Sequence, residues 1–251
     1  IPSFPGRTYT WIVTGANSFS GQGTNQISVN WGNGTNGNVS VTETLTVTGC
    51  SASASRSIVI NPAPTPLATG NISVCDEANE DYATAPAIGH TFTWTVSGGT
   101  IVSGQNTNQI TVHWNSSGLQ TVTVRETITA TGAFADNTLT VDVHALPSGT
   151  LTVSNPQTCV GTSANIIVSG GEAGTDYTLR LNSNNTVITT VHNGSAGDVT
   201  ITVNPASDII YNILATNEYG CSTQLSDLSS VTVKSVPVIG PVNSINNLTL
   251  R

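Results

Sequence analysis

Apolar and polar residues alternate with period two along most of the chain. Phe92, Trp94 and Val96 are separated by Thr93 and Thr95, and Ile110 and Val112 by Thr111. Val122, Val124, Glu126 and Ile128 are separated by Thr123, Arg125 and Thr127, and Leu139, Val141 and Val143 by Thr140 and Asp142. A two-residue period puts alternate side chains on opposite faces of a strand, so each strand has one face for a core and one for water. Threonine on the outer face suits this reading, because its branched Cβ favours extended backbone. Glycine and asparagine clusters at 98–99, 104–108 and 116–118 punctuate the pattern as turns. The pattern predicts seven short strands: Ile72–Cys75, Tyr82–Thr84, Thr91–Val96, Thr100–Val102, Ile110–Trp114, Thr121–Ile128 and Thr138–Val143. No segment has the 3.6-residue period of a helix.

The same pattern is written more than once. Ser20-Gly21-Gln22-Gly23-Thr24-Asn25-Gln26-Ile27 recurs 83 residues later as Ser103-Gly104-Gln105-Asn106-Thr107-Asn108-Gln109-Ile110. The same offset relates Trp11 to Trp94, Glu43 to Glu126, and Cys50 to Ala133. A more diverged third copy is anchored by Cys159, 84 after Cys75, and by Tyr219-Gly220-Cys221. Seven strands in about 84 residues describe an immunoglobulin-like sandwich, with Trp11 and Trp94 as core tryptophans of the third strand. The expected organisation is all-β: tandem sandwiches strung end to end, over residues 1–62, 66–146 and 147–236. The first lacks its opening strands, and residues 237–251 read as the first strand of a following repeat. Proline-rich joints at 61–66, Ala145-Leu146-Pro147 and Val236-Pro237 separate them as short stiff spacers. Since head and tail nearly complete one copy, two readings stay open. The chain is a window on a longer array, or Ile245, Leu248 and Leu250 are donated as a strand to the open first domain of another copy.

Composition narrows the partners. Charged residues are 8% and the net charge is −8, with 6 Lys+Arg in all. Scattered cations so few cannot hold a polyanion, which argues against nucleic acid. No apolar run reaches the roughly 20 residues that insert in a bilayer as a helix. Hydrophobic residues at 37% are enough for packed cores. An uncharged, Thr/Ser/Asn-rich β chain points to an extracellular, cell-surface setting. Gly-x-Ser-x-Gly, phosphate-loop and HExxH patterns are missing, and no catalytic residues or enzyme activity are expected.

The stretch Thr93-Trp94-Thr95-Val96-Ser97-Gly98-Gly99-Thr100-Ile101-Val102-Ser103-Gly104-Gln105, with Thr107 to Trp114, the Thr48-Gly49-Cys50 end and the proline-rich linker ahead of Val74-Cys75, carries a resemblance. It resembles the PKD-like, immunoglobulin-fold repeats of giant cell-surface adhesins of Bacteroidetes, proteins often exported by the type IX secretion system. Trp94-Thr95-Val96-Ser97-Gly98-Gly99 stands where true PKD domains carry Trp-Asp-Phe-Gly-Asp-Gly, so the likeness is one of fold. It implies adhesion or filament building, with adjoining repeats or copies of the same chain as partners. Recognition of surface glycans by a Thr or Trp face is the alternative, and an accessory region of a secreted hydrolase a third.

Four cysteines allow three pairings. In a seven-strand sandwich strand A starts at the pole where strand F turns into strand G, so Cys159, ahead of the first strand of the third copy, and Cys221, at its F–G turn, should meet in a disulfide. Cys75 then has no mate, since Ala133 stands in the matching position. A Cys50–Cys75 bond is disfavoured, because a strand of roughly 34 Å runs between them while bonding needs Cα atoms within about 7 Å. Cys50 and Cys75 are expected as buried thiols, or as a bond between subunits. Glu43 and Glu126 fall on the inward face of the sixth strand and are expected to be tied to loop amides. Asp76, Glu77, Glu80 and Asp81 form the one acidic cluster, on the loop after the first strand. They read as a solvated loop, or as a Ca²⁺ site at an interdomain joint.

Overall fold

The computed structural model describes residues 1–32 and 34–240. All regular structure among them is β, in three successive sets of paired sheets. The first set is β1 (Arg7–Thr14), β2 (Ala16–Ser20), β3 (Ser28–Trp31), β4 (Asn36–Leu45) and β5 (Ser51–Val59). It forms the sheets β1-β4-β5 and β2-β3. The second set is β6 (Thr69–Gly70), β7 (Ser73–Cys75), β8 (Asn79–Ala83), β9 (His90–Val96), β10 (Gly99–Ser103), β11 (Gln109–Trp114), β12 (Gly118–Ile128) and β13 (Phe134–His144). Its sheets run β10-β11-β8-β6 and β7-β13-β12-β9. The third is β14 (Gln157–Cys159), β15 (Ala164–Gly171), β16 (Thr175–Leu181), β17 (Val187–Asn193), β18 (Gly197–Val203), β19 (Ile209–Thr216), β20 (Ser222–Gln224) and β21 (Ser229–Lys234). Here β14-β21-β19-β16-β17 make one sheet, with β20 also on β19, and β15-β18 the other. The fold is that of tandem immunoglobulin-like sandwiches.

By contacts the chain divides into two compact units. The first comprises residues 1–72, 79–115 and 119–141; the second comprises 73–78, 116–118 and 142–251. β7 and the end of β13 thus belong with the third set of strands.

Alternation becomes burial as elementary packing requires. In β9, Phe92 and Trp94 point inward while Thr91, Thr93 and Thr95 are exposed. Ile110, Val112 and Trp114 of β11 face Val122 and Val124 of β12 across the second core, all at 1% exposure or less. The third core has no tryptophan; Ile166, Tyr177, Leu179, Ile201 and Ile213 fill it. The first core is smaller: Tyr9, Trp11 and Val41, flanked by Ile27 and Val39. In the second set β8 lies beside β11 and brings in Tyr82, and β7 lies beside β13. Among the described residues nothing fills those places in the first set. Trp31 is accordingly half-buried where Trp114 is fully buried, and β5 is almost wholly exposed.

Tyr82 has no exposed surface, meets Trp114 edge-on (centroids 6.0 Å apart), and donates its hydroxyl to Asn71 O at 2.9 Å. Burial pushes that hydroxyl up from its ordinary value near 10 to about 12. The folded chain then holds the proton more tightly than the unfolded chain does. The stabilisation it lends is complete below pH about 10 and is lost as pH rises toward about 12. In urea titrations followed by tryptophan fluorescence, the midpoint should fall across that window, and more gently in Tyr82→Phe. Equal slopes would contradict the assignment.

Candidate functional site

The feature with most chemistry is a covalent joint. β7 pairs in parallel with the end of β13, Val74 opposite Val143 and Cys75 opposite His144. The chain then turns, with Asp76 N–H donating to His144 O at 2.8 Å. Cys221 arrives from the turn between β19 and β20, and the Cys75 and Cys221 sulfurs are bonded with Cα atoms 5.6 Å apart. The Tyr219 ring stacks on His144 (centroids 3.7 Å, planes within 6°), and Asn217 Nδ2 donates to Ala145 O at 2.9 Å. The turn is held by Asn217, whose Oδ1 accepts from Tyr219 N–H and Cys221 N–H. A disulfide, an aromatic stack and a hydrogen bond therefore converge where one repeat hands over to the next.

The expected Cys159–Cys221 bond is corrected by this arrangement. Cys159 ends β14, which runs parallel to β21 with Cys159 opposite Lys234. A strand parallel to the last strand ends where that strand ends, not at the turn that begins it. The six residues of β21 alone rise about 20 Å, far beyond disulfide reach. The repeat's leading segment begins instead near Pro147, where Ser226 N–H donates to Gly149 O. Cys75, expected to lack a mate, has one in the following repeat. Cys50 and Cys159 are free and exposed, so Cys50 is not the buried thiol anticipated.

The inward carboxylates have partners of another kind than loop amides. Glu43 meets the Arg7 guanidinium at 2.9 Å, and Glu126 meets His90 Nδ1. Each partner lies two positions from the residue opposite the carboxylate, on the same face: Tyr9 is opposite Glu43 and Phe92 opposite Glu126. Arg7 and His90 are themselves 83 apart. The pair is thus one structural device used twice, with Glu126 the more buried member.

The acidic cluster is not gathered into a ligand set. Glu80 and Asp81 lie on β8 rather than on a loop, and strand alternation sends them to opposite faces. Asp81 accepts from Thr111 Oγ1 at 2.7 Å, and Asp76 Oδ1 from Glu77 N–H at 3.1 Å. Among the described residues no group of three His, Cys, Asp or Glu is placed to hold a metal ion. Ile245, Leu248 and Leu250 lie outside the described residues. On the outer faces hydroxyls pair across strands: Thr42 with Ser53, Thr123 with Thr138, and Thr178 with Thr190, at 2.8–2.9 Å. Arg125 holds Asp136 through two hydrogen bonds and lowers its carboxyl pKa.

A second device escaped the strand pattern. Trp94 lies on β9, an edge strand, and its N–H and C=O point away from β12. Gln105 closes that edge with its side chain. Its Oε1 accepts from Trp94 N–H at 3.0 Å and its Nε2 donates to Trp94 O at 2.9 Å, as a neighbouring strand would. The indole N–H donates to Thr107 O at 2.9 Å. Gln22, Trp11 and Thr24 repeat the arrangement in the first sandwich at 2.8, 3.0 and 2.8 Å. The signal was present in the sequence as the recurring Ser-Gly-Gln-x-Thr-Asn-Gln, which polarity alone marks only as a turn. Capping an exposed edge removes a template for unwanted strand pairing.

A family model described as PKD-like domain matches residues 1–60 and again 61–141, together more than half the chain. No curated protein matches. Among solved structures, the fragment I67–I69 of titin is 14% identical, covering 92% of this chain and 89% of that one, with a TM-score of 0.40. The fibronectin(III)-like modules of Clostridium thermocellum CbhA are 10% identical, with 71% and 100% covered and a TM-score of 0.37. Three N-terminal domains of the outer capsid protein Hoc of bacteriophage RB49 are 13% identical, with 94% and 92% covered and a TM-score of 0.35.

Proposed function

The chain belongs to the PKD-like domain family, and on that premise we propose that it is a structural repeat unit of an extracellular stalk or filament at a cell surface, with no catalysis of its own. The observation that carries this reading is the Cys75–Cys221 bond. It staples the last strand pair of one repeat to the F–G turn of the next, so consecutive sandwiches are joined by more than the Ala145-Leu146-Pro147 backbone. A disulfide also fits an oxidising compartment. Surfaces of mutually bonded hydroxyls and few charges suit a shaft whose neighbours neither repel nor bind strongly. Partners in this reading are copies of the chain or adjoining repeats. Among the described residues β3 and β5 lack the companions that β11 and β13 have, and in this reading a strand lent by such a partner pairs with those edges.

Electron microscopy of the native material tests the reading. The expected image is a filament or stalk with an axial repeat of about three sandwiches. Isolated particles of one chain would overturn it. Glycan recognition is the competing reading, favoured by the threonines of β9 and β12 that line a shallow cavity with Arg125 and Asp136. Micromolar binding on a glycan array, lost on removing those side chains, would favour it over the shaft.

A further inference from the structure

The joint has two halves, and each occurs once more in the chain without its mate. One half is the cysteine that ends the short strand parallel to the last strand of its repeat. Cys75 stands opposite His144, with Asp76 N–H on His144 O (2.8 Å) and Ala78 N–H on Cys75 O (3.3 Å). Cys159 stands opposite Lys234, with Val160 N–H on Lys234 O (2.9 Å) and Thr162 N–H on Cys159 O (3.0 Å). The backbones match bond for bond. The other half is the cysteine that closes the F–G turn behind a glycine of positive φ. Gly220 (φ +83°) precedes Cys221, and Gly49 (φ +73°) precedes Cys50. The carbonyl of each cysteine accepts across its turn, from Asn217 N–H at 3.0 Å and from Leu45 N–H at 2.9 Å.

One complete pair is bonded; the remaining halves, Cys159 and Cys50, are both free and exposed. Their surroundings are uncovered in the places the formed joint covers. Pro147 is buried and Leu146 half-buried beside the formed joint, whereas Val236, Val238 and Ile239 are 57–94% exposed. Val47, at the tip of the Cys50 turn, is 92% exposed, and Cys50 opens onto a cavity of about 230 Å³ bordered by Leu45 and Ala52.

We propose that Cys159 of one copy bonds Cys50 of a second copy in the geometry of the Cys75–Cys221 joint, so that chains are welded head to tail. The inference rests on the stalk reading and supplies its covalent link. The order of the halves makes this bond one between two molecules. In the formed joint the strand-end cysteine receives the turn of a repeat later in sequence, whereas Cys50 lies in an earlier repeat than Cys159. The reaction needs a small-molecule disulfide as oxidant. The thiolate of one cysteine attacks it, releasing one small thiol and forming a mixed disulfide; the second cysteine's thiolate then displaces the other small thiol. The S–S bond of the oxidant breaks, the Cys159–Cys50 bond forms, and two protons and two electrons pass from the protein thiols to the two released thiols.

Whole chain incubated with glutathione disulfide should form a ladder of oligomers on a non-reducing gel, collapsed by dithiothreitol. Peptide mapping should find Cys159 joined to Cys50. Cys50→Ser and Cys159→Ser each remove the ladder, and mixing the two variants should give the Cys159–Cys50 dimer in roughly tenfold excess over like-with-like dimers. Like-with-like dimers in equal amount would overturn the proposal, as would a Cys50–Cys159 bond within one chain or two thiols that stay alkylatable after oxidation. Native filaments whose Cys50 and Cys159 both alkylate would sink this bond alone. Isolated particles in the native material would sink the stalk reading.

Discussion

Breaking the Cys75–Cys221 bond is expected to lengthen a single stretched molecule by about 500 Å. The sulfurs bridge 146 positions of sequence, and each extended residue spans at most about 3.6 Å. When the ends are pulled, force passes from residue 75 through the disulfide to residue 221. The strands β8 to β19 lie off that path and cannot be drawn out while the bond is intact, even if they unfold. In a pulling experiment without reductant, neither the second nor the third sandwich should yield its full length. With dithiothreitol both should. Identical contour lengths in the two conditions would mean that the bond is not made, and would remove the main support for a mechanical role.

The same bond should matter at rest. If the third sandwich unfolds while the second stays folded, the bond closes a loop of roughly 75 residues between His144 and Cys221, and the chain-entropy argument assigns such a closure about 4–5 kcal/mol. The denaturation midpoint of the third sandwich, followed by its buried Tyr177 and Tyr211, should therefore drop well below that of the oxidised protein in Cys75→Ser. The tryptophan signal of the first two sandwiches should shift much less. Coincident midpoints for the oxidised and Cys75→Ser proteins would refute it.

What local sequence encodes and what only the folded chain reveals are separated by a physical line. Strands were legible wherever one face is buried, because alternation is a local property. The expected Thr91–Val96, Ile110–Trp114 and Thr121–Ile128 lie within β9, β11 and β12. Periodicity also identified equivalent positions: Cys75 and Cys159, 84 apart, end equivalent strands. It could not give the direction in which the short leading strand pairs. Parallel pairing with the last strand moves its end to the far pole, and that sends Cys221 to Cys75 rather than Cys159. Side-chain partners across strands were hidden for a related reason. Arg7 and His90 recur at the same offset as Glu43 and Glu126, yet the link needs the register of β1 on β4 and β9 on β12. The sequence pattern puts the acidic cluster on a loop because Glu80 and Asp81 extend a strand whose apolar signal is only Tyr82 and Ala83.

The glutamine clamp leads to the second large effect. Gln105→Ala leaves the N–H and C=O of Trp94 without their partners on a strand edge beside a buried indole. At about 1–3 kcal/mol for each part-buried backbone group, the second sandwich should lose roughly 2–6 kcal/mol. Gln105→Glu separates the two halves: a carboxylate still accepts from Trp94 N–H but has no proton for Trp94 O, so about half the loss should remain. Gly104→Ala should cost at least as much as Gln105→Ala. Its φ of +83° disfavours any Cβ, and that atom would lie 2.1 Å from Gln109 O, a backbone atom that cannot move without shifting β11. Urea denaturation monitored by tryptophan fluorescence reads all three. The double variant decides whether turn and clamp are one device. If Gly104 sets the loop so that Gln105 can reach Trp94, displacing the loop already breaks both hydrogen bonds, and the double variant loses little more than Gly104→Ala alone. Losses that simply add would mean that the glutamine finds Trp94 without the glycine's help, and the recurring Gly-Gln pair would then be two independent features.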